Sequence, residues 1–526
     1  MQSNNLAVAA AVVSIPLLGG IAFGQTSDAD APWYGVPLPP GFQAHQAPVV
    51  LGDRPPEPAR VPQGEDRFPH LDGETMEADV QTIVDFARAS RERKEVGDGQ
   101  FWGRLGGLAS ASDATAWVVG HLEQAGIADI EVQQLQQDEG TALWLPLRWE
   151  MTLLANPAGG PGSGDVVLES AMPLPRSTLP QGGVTASMVY VGTGSAAESM
   201  HADVQDKIVL RRVSPQAHSF FESQATFESA RQLFERGAAA VINMMDMPGN
   251  ERAFDYFGCG DTCFNLGGQD SRFLRSVLNH AAEDGTADEL RMRLTLETES
   301  LSGLTAQNAL AVIPGASDEA ILIVSHVDSW FDGANDNADG LAVTLALARH
   351  FAALEGQLER TLIFLISVGH HTAGLNGPSH FVRMNPDIVD RTVLAINVEH
   401  VAGRNLAPAR TFYPDGHREF DADTGEAPIS AGITNESPYL QSLIDEGVAR
   451  YGTNFVSGNS TASSGESQWL INLGFPVLTI MQAHPLYHTS GEVAQIISTP
   501  GMERMARFLA FYITEASTAS AEALAN

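Results

Sequence analysis

The residues best suited to metal chemistry lie in segment 326–340, which reads HVDSWFDGANDNADG. His326 ends an apolar run, and Asp336 stands just before a second apolar run with the composition of a helix. Imidazole and carboxylate are the ligands that zinc prefers outside thiolate sites. Asp328 is close enough in sequence to hydrogen-bond the second nitrogen of His326 or to order the loop. We therefore expect a metal site centred on His326 and Asp336, against the alternative that Asp336 only caps the helix.

Polar residues also follow three other apolar segments of the same region. The four segments are 320–325, 361–367, 393–397 and 476–481. The polar residues beyond their carboxyl ends are His326 with Asp328, His370 with His371, Glu399 with His400, and Tyr487 with His488. In open α/β sheets, sites form beyond the carboxyl ends of the strands. These segments therefore predict strands whose ends converge on one site.

The elements that must position these residues read as an α/β fold. From residue 301 onward strands alternate with helices. Before that region, apolar periodicity predicts helices over 74–94 and 113–125 and a strand over 130–135. Residues 166–299 have a different pattern of predicted elements. Short strands such as SMVYVG and KIVLRRV surround a helix over 225–236. Through its DKIVL and GAAAVI segments this region resembles a protease-associated domain, a small β-rich insert; any small α/β insert is the alternative.

The motif H-x-D-S-W-x-x-G-A-x-D, residues 326–336, resembles the M28 family of metallopeptidases. That family includes bacterial aminopeptidases and the group of glutamate carboxypeptidase and the transferrin receptor. The resemblance covers residues 73–165 and 300–515, with the insert between them. It implies a three-layer α/β/α fold with a mixed, mainly parallel central sheet and a smaller inserted domain. It also implies one or two zinc ions as the cofactor.

The resemblance implies a role for each matching residue. Asp336 would bridge two zinc ions, and His326 and Glu399 would complete the ligands of one of them. His488 would bind the other ion. Tyr487 matches a tyrosine that can steady a developing oxyanion.

One segment departs from the family pattern. Two adjacent glutamates, a base and a metal ligand, are expected where this chain has GHHTAGLNG at 369–377. Counting from the preceding strand puts His370 and His371 in the two places, whereas counting backward from GLNG puts His371 and Thr372 there. Either histidine could act as base or as replacement ligand. If neither reaches the metals, the centre holds one ion or is inactive.

These residues predict a zinc-dependent hydrolase of amide bonds, acting on a peptide end or a small N-acyl compound. Glu466 could hold a substrate amine, or it could be a solvated loop acid. The alternative from another class is a catalytically silent M28-like binding protein, as in the transferrin-receptor branch. Loss of the two glutamates favours that alternative, and retention of the other ligands opposes it.

The net charge of −34 opposes binding to nucleic acid or to anionic membranes. The chain contains neither a G-x-S-x-G nucleophile elbow nor an H-E-x-x-H helix, which removes two other hydrolase classes.

The amino-terminal segment predicts export. Residues 1–24 contain an apolar run from Leu6 that ends in an A-x-G pattern, as a signal peptide does, and an uncleaved anchor is the alternative. Residues 25–72 read as an extended arm, and 516–526 as a flexible tail. The two cysteines, Cys259 and Cys263, predict a local disulfide. We therefore expect a secreted or periplasmic protein.

Overall fold

The computed structural model describes residues 54–154, 164–214, 224–255, 259–408, 420–457 and 465–525. The predicted leader and the first part of the arm lie outside these residues. The helices are α1 (Gly73–Glu92), α2 (Ala109–Gln124), α3 (Ala196–Ser199), α4 (Gln224–Glu235), α5 (Gly268–Glu283), α6 (Asp339–Ala352), α7 (Gly377–Met384), α8 (Pro386–Arg391), α9 (Pro438–Tyr451), α10 (Thr499–Thr518) and α11 (Ala521–Ala525).

The strands are β1 (Gly103–Arg104), β2 (Asp129–Gln136), β3 (Leu143–Leu153), β4 (Val166–Val167), β5 (Met172–Pro173), β6 (Val184–Tyr190), β7 (Ile208–Val213), β8 (Ala240–Met245), β9 (Cys263–Leu266), β10 (Arg291–Leu301), β11 (Thr305–Ile313), β12 (Ser317–His326), β13 (Ser329–Trp330), β14 (Arg360–Ser367), β15 (Thr392–Val398), β16 (Arg404–Pro408), β17 (Phe420–Glu426), β18 (Ile429–Ile433), β19 (Phe455–Ser457) and β20 (Val477–Gln482).

The first large sheet has the order β19-β18-β20-β15-β12-β14-β11-β2. Its four central strands, β20, β15, β12 and β14, run parallel, while β18, β11 and β2 are antiparallel to their inner neighbours. The central strands overlap the four apolar segments of the sequence. They carry continuous apolar residues because both faces of a central parallel strand are covered. The predicted α/β fold with a mixed, mainly parallel sheet is confirmed.

Helices cover both faces of this sheet. Along β12, Ile321 and Ile323 pack into a core with residues of α1, α2, α6 and α10, whereas Leu322 and Val324 pack against Phe381 of α7 on the opposite face. This alternation follows from the period of two residues in a strand. Helix α1 begins where the Asp72 side chain accepts a hydrogen bond from the Thr75 amide. Helix α2 begins at Ala109, before the predicted residue 113.

The second large sheet has the order β4-β3-β10-β6-β7-β8-β9-β5. It includes β3, which the sequence assigned to the peptidase segment 73–165. Strand β3 pairs along its length with β10, far away in the chain, and local periodicity cannot reveal such a partner. This sheet has as many strands as the first and is accompanied by α4 and α5. Its protease-associated identity stays a prediction.

The two ends of the described chain pack against the first sheet's domain. The carboxyl-terminal residues, expected to be a flexible tail, instead finish α10 and form α11, where Leu524 is buried. In the arm, the Glu57 amide donates to the Thr424 carbonyl, and Arg504 donates to the Glu57 carbonyl. Cys259 and Cys263 form the predicted local disulfide. Among the described helices, none combines the length and the apolarity that a membrane crossing requires.

Arg104 joins three segments beneath the sheet edge that carries the metal loop. Its guanidinium is fully buried and donates to the carbonyl oxygens of Val327 at 2.9 Å, Asp332 at 2.8 Å and Gly333 at 3.1 Å. A further bond of 3.3 Å reaches the Ile83 carbonyl in α1. The loop between β12 and α6 therefore depends on one buried cation.

We expect Arg104→Met to lower the free energy of unfolding by about 3 kcal/mol, because several buried carbonyl groups lose their donor. Denaturant unfolding followed by tryptophan fluorescence measures this loss. Arg148→Met is the matched control, since Arg148 is exposed and its removal leaves stability within about 0.5 kcal/mol. Equal stability of the two variants would contradict the role assigned to Arg104.

Candidate metal centre

The centre forms where the carboxyl ends of β12, β14, β15 and β20 meet. His326 is the last residue of β12, His370 and His371 follow β14, and Glu399 directly follows β15. The loop after β20 contributes His488. Because the four strands are parallel, their carboxyl ends lie at one edge of the sheet, which brings together residues far apart in sequence.

Asp336 is the middle of this cluster. Its Oδ1 lies 3.2 Å from His326 Nε2 and 3.0 Å from His400 Nε2. Its Oδ2 lies 3.2 Å from His371 Nε2 and 3.0 Å from His488 Nε2, and those two nitrogens are 3.3 Å apart. Each carboxylate oxygen therefore faces two imidazoles.

These separations fit a pair of metal subsites. Ligand atoms bound to a tetrahedral zinc at about 2.0–2.1 Å stand about 3.3 Å from one another. The donor atoms of Asp336, His371 and His488 lie 3.0–3.3 Å apart, and those of His326, Glu399 and His400 lie within 4.8 Å of one another. Within the described residues, buried His326 Nε2 and Glu399 Oε2 also make no hydrogen bond, as expected of atoms placed for a metal.

The loop that carries Asp336 is fixed from two sides. Glu492 accepts hydrogen bonds from the backbone amides of both Asp336 and His488, which ties the loop of Asp336 to the segment of His488. The Asn337 side chain donates to Ser325 Oγ at 2.9 Å, beside the end of β12. The orientation of Asp336 is therefore set by buried polar contacts.

Asp328 orders the loop around two histidines. Its backbone carbonyl accepts a hydrogen bond of 3.0 Å from His326 Nδ1, while its carboxylate lies 3.8 Å from the same nitrogen. The carboxylate instead accepts the His371 backbone amide at 2.9 Å. Asp328 thus contacts the two histidines through two different groups: its carbonyl bonds the His326 ring, and its carboxylate bonds the His371 backbone amide.

The register of the His370–His371 pair is clear in the structure. His371 faces Asp336 and His488, which is the position of a ligand. Thr372 points away, because its hydroxyl donates to the Gly106 carbonyl at 2.9 Å. The geometry therefore agrees with the count from the preceding strand, which uses His370 and His371. It disagrees with the count backward from GLNG, which needs Thr372 at the centre.

His370 stacks on His326, with ring centroids 4.4 Å apart, and its Nδ1 lies 3.4 Å from Glu466 Oε2. Glu466 is buried, accepts the Ser367 hydroxyl at 2.5 Å, and donates its backbone amide to Glu399 at 2.8 Å. Glu466 is therefore neither a solvated loop acid nor a free carboxylate for a substrate amine. Burial opposes protonation of His370, but the hydrogen bond and charge of Glu466 outweigh it and raise the pKa of His370 to about 10.

Tyr487 lies at the edge of the cluster. Its ring stacks on His488 with centroids 3.5 Å apart and stands 5.5 Å from the His400 ring. Burial and the nearby charge of Asp336 hold the pKa of the phenol well above its ordinary value. Tyr487 is therefore a hydrogen-bond donor throughout the physiological range.

Two residues of the centre were missed by the sequence reasoning. His400 was noted only as the neighbour of Glu399, although its Nε2 contacts Asp336. Glu492 lies four residues beyond His488 and was not singled out. For His400 the sequence did offer a signal, because its imidazole directly follows Glu399, which was expected to be a ligand. For Glu492 the sequence offered no signal.

The electrostatics of the centre follow from one buried carboxylate among imidazoles. Burial alone would raise the pKa of Asp336, but the imidazoles, led by His371 and His400, hold it well below its ordinary value. Burial disfavours the protonated forms of His371 and His400, yet Asp336 raises the pKa of each to about 9. Burial and the charges of its histidine neighbours lower the pKa of His488 to about 3.

A cavity of about 430 Å³ opens beside the centre. Its walls include His370, His371, Trp330 and Asp255, the last contributed by the second sheet's domain. Phe254 donates its backbone amide to the His488 carbonyl at 3.0 Å, which holds this segment against the ligand loop. Both large sheets therefore contribute to the mouth of the site.

Residues 308–513 match the model of peptidase family M28. The part of the chain that holds this centre is therefore similar to that family, and the match supports a peptidase, a hydrolase of peptides. No curated protein matches the chain.

Solved structures share the fold over most of the chain. An aminopeptidase from Aneurinibacillus sp. strain AM-1 is 19% identical, with a TM-score of 0.53, and the match covers 86% of this chain and 95% of that one. A peptidase M28 precursor from Shewanella amazonensis is 18% identical, with a TM-score of 0.58 and coverage of 85% and 96%. BSAP, a zinc aminopeptidase from Bacillus subtilis, is 15% identical, with a TM-score of 0.56 and coverage of 86% and 98%. At these identities the likeness establishes the fold.

We expect the apparent affinity for zinc to fall as the pH is lowered from 8.5 to 6, by about tenfold per pH unit for each proton displaced. The reason is that the raised pKa values of His371 and His400, each about 9, make protons compete with metal over this whole range. Competition titration against a chelating indicator measures the affinity, and proton release in weak buffer checks the cause. An affinity that does not change between pH 6 and 8 would contradict this account.

Proposed function

We propose that this protein is a zinc-dependent hydrolase of amide bonds that acts at a peptide end, as an aminopeptidase-type exopeptidase. The observation that carries the proposal is Asp336, whose two carboxylate oxygens each face two imidazole nitrogens at 3.0–3.2 Å. A solved structure of similar fold is that of a zinc aminopeptidase, which agrees with the metal proposed.

The residues divide into two sets of ligands around Asp336. His326 faces Oδ1 and shares a group of donor atoms with Glu399, while His371 and His488 face Oδ2. The chemistry that zinc supplies at such donors is a bound water with a pKa near 7 and a polarised carbonyl group.

The replacement of a carboxylate ligand by His371 changes the charge of the site. With only Asp336 and Glu399 as anionic ligands, two zinc ions leave a formal charge of about +2. This surplus favours ionisation of water and a negatively charged oxygen on the substrate. It also opposes protonation of His370, whose ring stacks on that of His326.

His370 and Glu466 together supply the base. Nδ1 of His370 faces the Glu466 carboxylate at 3.4 Å, so Nε2 is the nitrogen that can accept a proton from water. Glu466 orients the ring and stabilises its protonated form, as a carboxylate does for a catalytic imidazole. Ser367 and the bond to Glu399 in turn fix Glu466.

The substrate enters through the cavity beside His370 and His371. Since Glu466 is already bound, the amino terminus of a peptide needs another carboxylate, and Asp255 is an exposed one on the cavity wall. Tyr487, held protonated, donates a hydrogen bond to the oxygen that becomes negative. The substrate class is therefore peptides or small amides with a free amine.

Export is part of the proposal. The apolar residues 1–24 and the pairing of Cys259 with Cys263 support an oxidising compartment outside the cytoplasm, such as the periplasm or the medium.

The second candidate is a silent binding protein, favoured by one observation: the base position holds His370, which is paired with a buried carboxylate and has a pKa raised to about 10. If His370 stayed protonated, it could not accept a proton from water, and the protein would bind metal without hydrolysing a substrate.

Metal analysis combined with aminopeptidase assays tests the proposal. We expect two zinc ions per chain, hydrolysis of peptides with a free amino terminus, and little hydrolysis of N-acetylated ones. His371→Ala should lose one ion and lower kcat at least about 100-fold, because the second ligand set loses a member. His380→Ala is the control, since His380 lies on α7, outside both groups of donor atoms and outside the cavity wall. Two bound ions with no hydrolysis favour the binding protein, and no bound metal near neutral pH overturns both readings.

The pH profile tests the His370–Glu466 pair. We expect Glu466→Gln to lower kcat about 100-fold and to move the acid limb of the kcat/KM profile to lower pH by about one unit or more. The reason for the shift is that Glu466 raises the pKa of His370, and the neutral ring is the active form. Glu446→Gln, the same substitution at an exposed carboxylate on α9, is the control. A slower variant with an unmoved acid limb would leave Glu466 only a structural role.

A further inference from the structure

We propose that His400 is itself a metal ligand, so that the Oδ1 side of Asp336 holds a divalent metal with His326, His400, Glu399 and Asp336. This inference rests on the proposed function for the presence of metal. It adds a ligand that neither the motif nor the family resemblance assigned.

The orientation of the His400 ring supports ligation. Its Nδ1 donates to the Gln482 carbonyl at 3.3 Å, and its Nε2 lies 3.0 Å from Asp336 Oδ1. A neutral ring that carries its proton on Nδ1 directs the lone pair of Nε2 at the carboxylate. The lone pair of Nε2 and those of the carboxylate oxygen repel each other unless a cation or a proton lies between them.

His326 repeats the same arrangement on the other side of Oδ1. Its Nδ1 bonds the Asp328 carbonyl at 3.0 Å, and its Nε2 faces Asp336 Oδ1 at 3.2 Å. A backbone carbonyl at one ring nitrogen, which leaves the other for the metal, is the usual support of a histidine ligand. His400 therefore has the geometry of the ligand already assigned.

The backbone around His400 is arranged to hold this ring. His400 has a φ of 50°, a left-handed conformation that is unfavourable for a side chain of this size. The Asn337 side chain accepts its amide at 3.2 Å, and the Gln482 side chain donates to the Gly403 carbonyl at 3.0 Å. Unfavourable backbone conformations that the surroundings maintain cluster at functional positions.

His484 shows what a purely structural histidine looks like in the same region. It is buried like His400, but its Nε2 faces the Arg404 carbonyl at 3.1 Å and its Nδ1 accepts the Leu486 amide at 3.2 Å. Both nitrogens thus serve the backbone. For His400 one nitrogen serves the backbone and the other faces Asp336 and the group that contains Glu399.

The donor set that results is rich in imidazole. With His371 and His488 on Oδ2, four neutral rings and two carboxylates surround the two subsites. Imidazole suits zinc, and also cobalt, nickel and iron, better than it suits magnesium or calcium. Cobalt is therefore a suitable probe, because its visible absorption reports the number and type of its ligands.

The experiment loads the metal-free full-length protein with Co²⁺ and measures stoichiometry, affinity and visible spectrum. We expect two equivalents for the unsubstituted protein. His400→Ala and His400→Gln should each weaken one equivalent at least about 100-fold and change the spectrum, because a ligand is lost. His484→Ala, which removes an equally buried ring, should retain both equivalents and the spectrum. Circular dichroism of the metal-free variants verifies that each is folded.

Glutamine at position 400 separates the two possible roles. Its amide can donate a hydrogen bond to Asp336 but cannot replace an imidazole ligand. If His400→Gln keeps both equivalents and an unchanged spectrum, His400 only hydrogen-bonds Asp336 and the proposal is overturned, even if hydrolysis persists. If one equivalent is lost while the unsubstituted protein hydrolyses nothing, the ligand assignment stands and the hydrolase proposal fails. An unsubstituted protein that binds no cobalt overturns both.

Discussion

The interaction on which the structure depends is the contact of one buried carboxylate, that of Asp336, with four imidazole rings. An anion without solvent is costly unless charges or donors surround it, and here the surroundings are groups that also bind metals. The parallel strands, the buried Arg104 under the loop and the carboxylate of Glu492 all act on the position of this residue. Much of the fold around the site therefore holds the side chain of Asp336 in position.

The sequence predicted the centre well where local pattern and fold agree. The apolar strands, with His326, Asp336, Glu399 and His488 near their ends, are visible because a parallel sheet collects strand ends at one edge. The geometry brings these four residues together at that edge. The sheet itself was predictable for the same reason, since its central strands are continuously apolar.

Other features could not be predicted, because they depend on contacts between distant segments. The sequence leaves open whether His370 and His371 or His371 and Thr372 occupy the two places, because the turn depends on the hydrogen bond from Thr372 to the distant Gly106. It also leaves Glu466 as either a substrate-binding carboxylate or a solvated loop acid, because its partners, Ser367 and His370, lie far from it in the chain. The long pairing of β3 with β10, and the packing of the last residues, were missed for the same physical reason.

The short antiparallel contact between Ala253 and Thr489 joins the second sheet's domain to the loop that carries His488. This contact places residues of both domains beside one cavity. The strand ends of the first sheet carry the candidate ligands, whereas the segment around Asp255 in the second sheet's domain forms part of the cavity wall. Because wall and ligands come from different domains, substitutions in the wall can alter which molecules fit the cavity while the donor atoms of the centre stay the same.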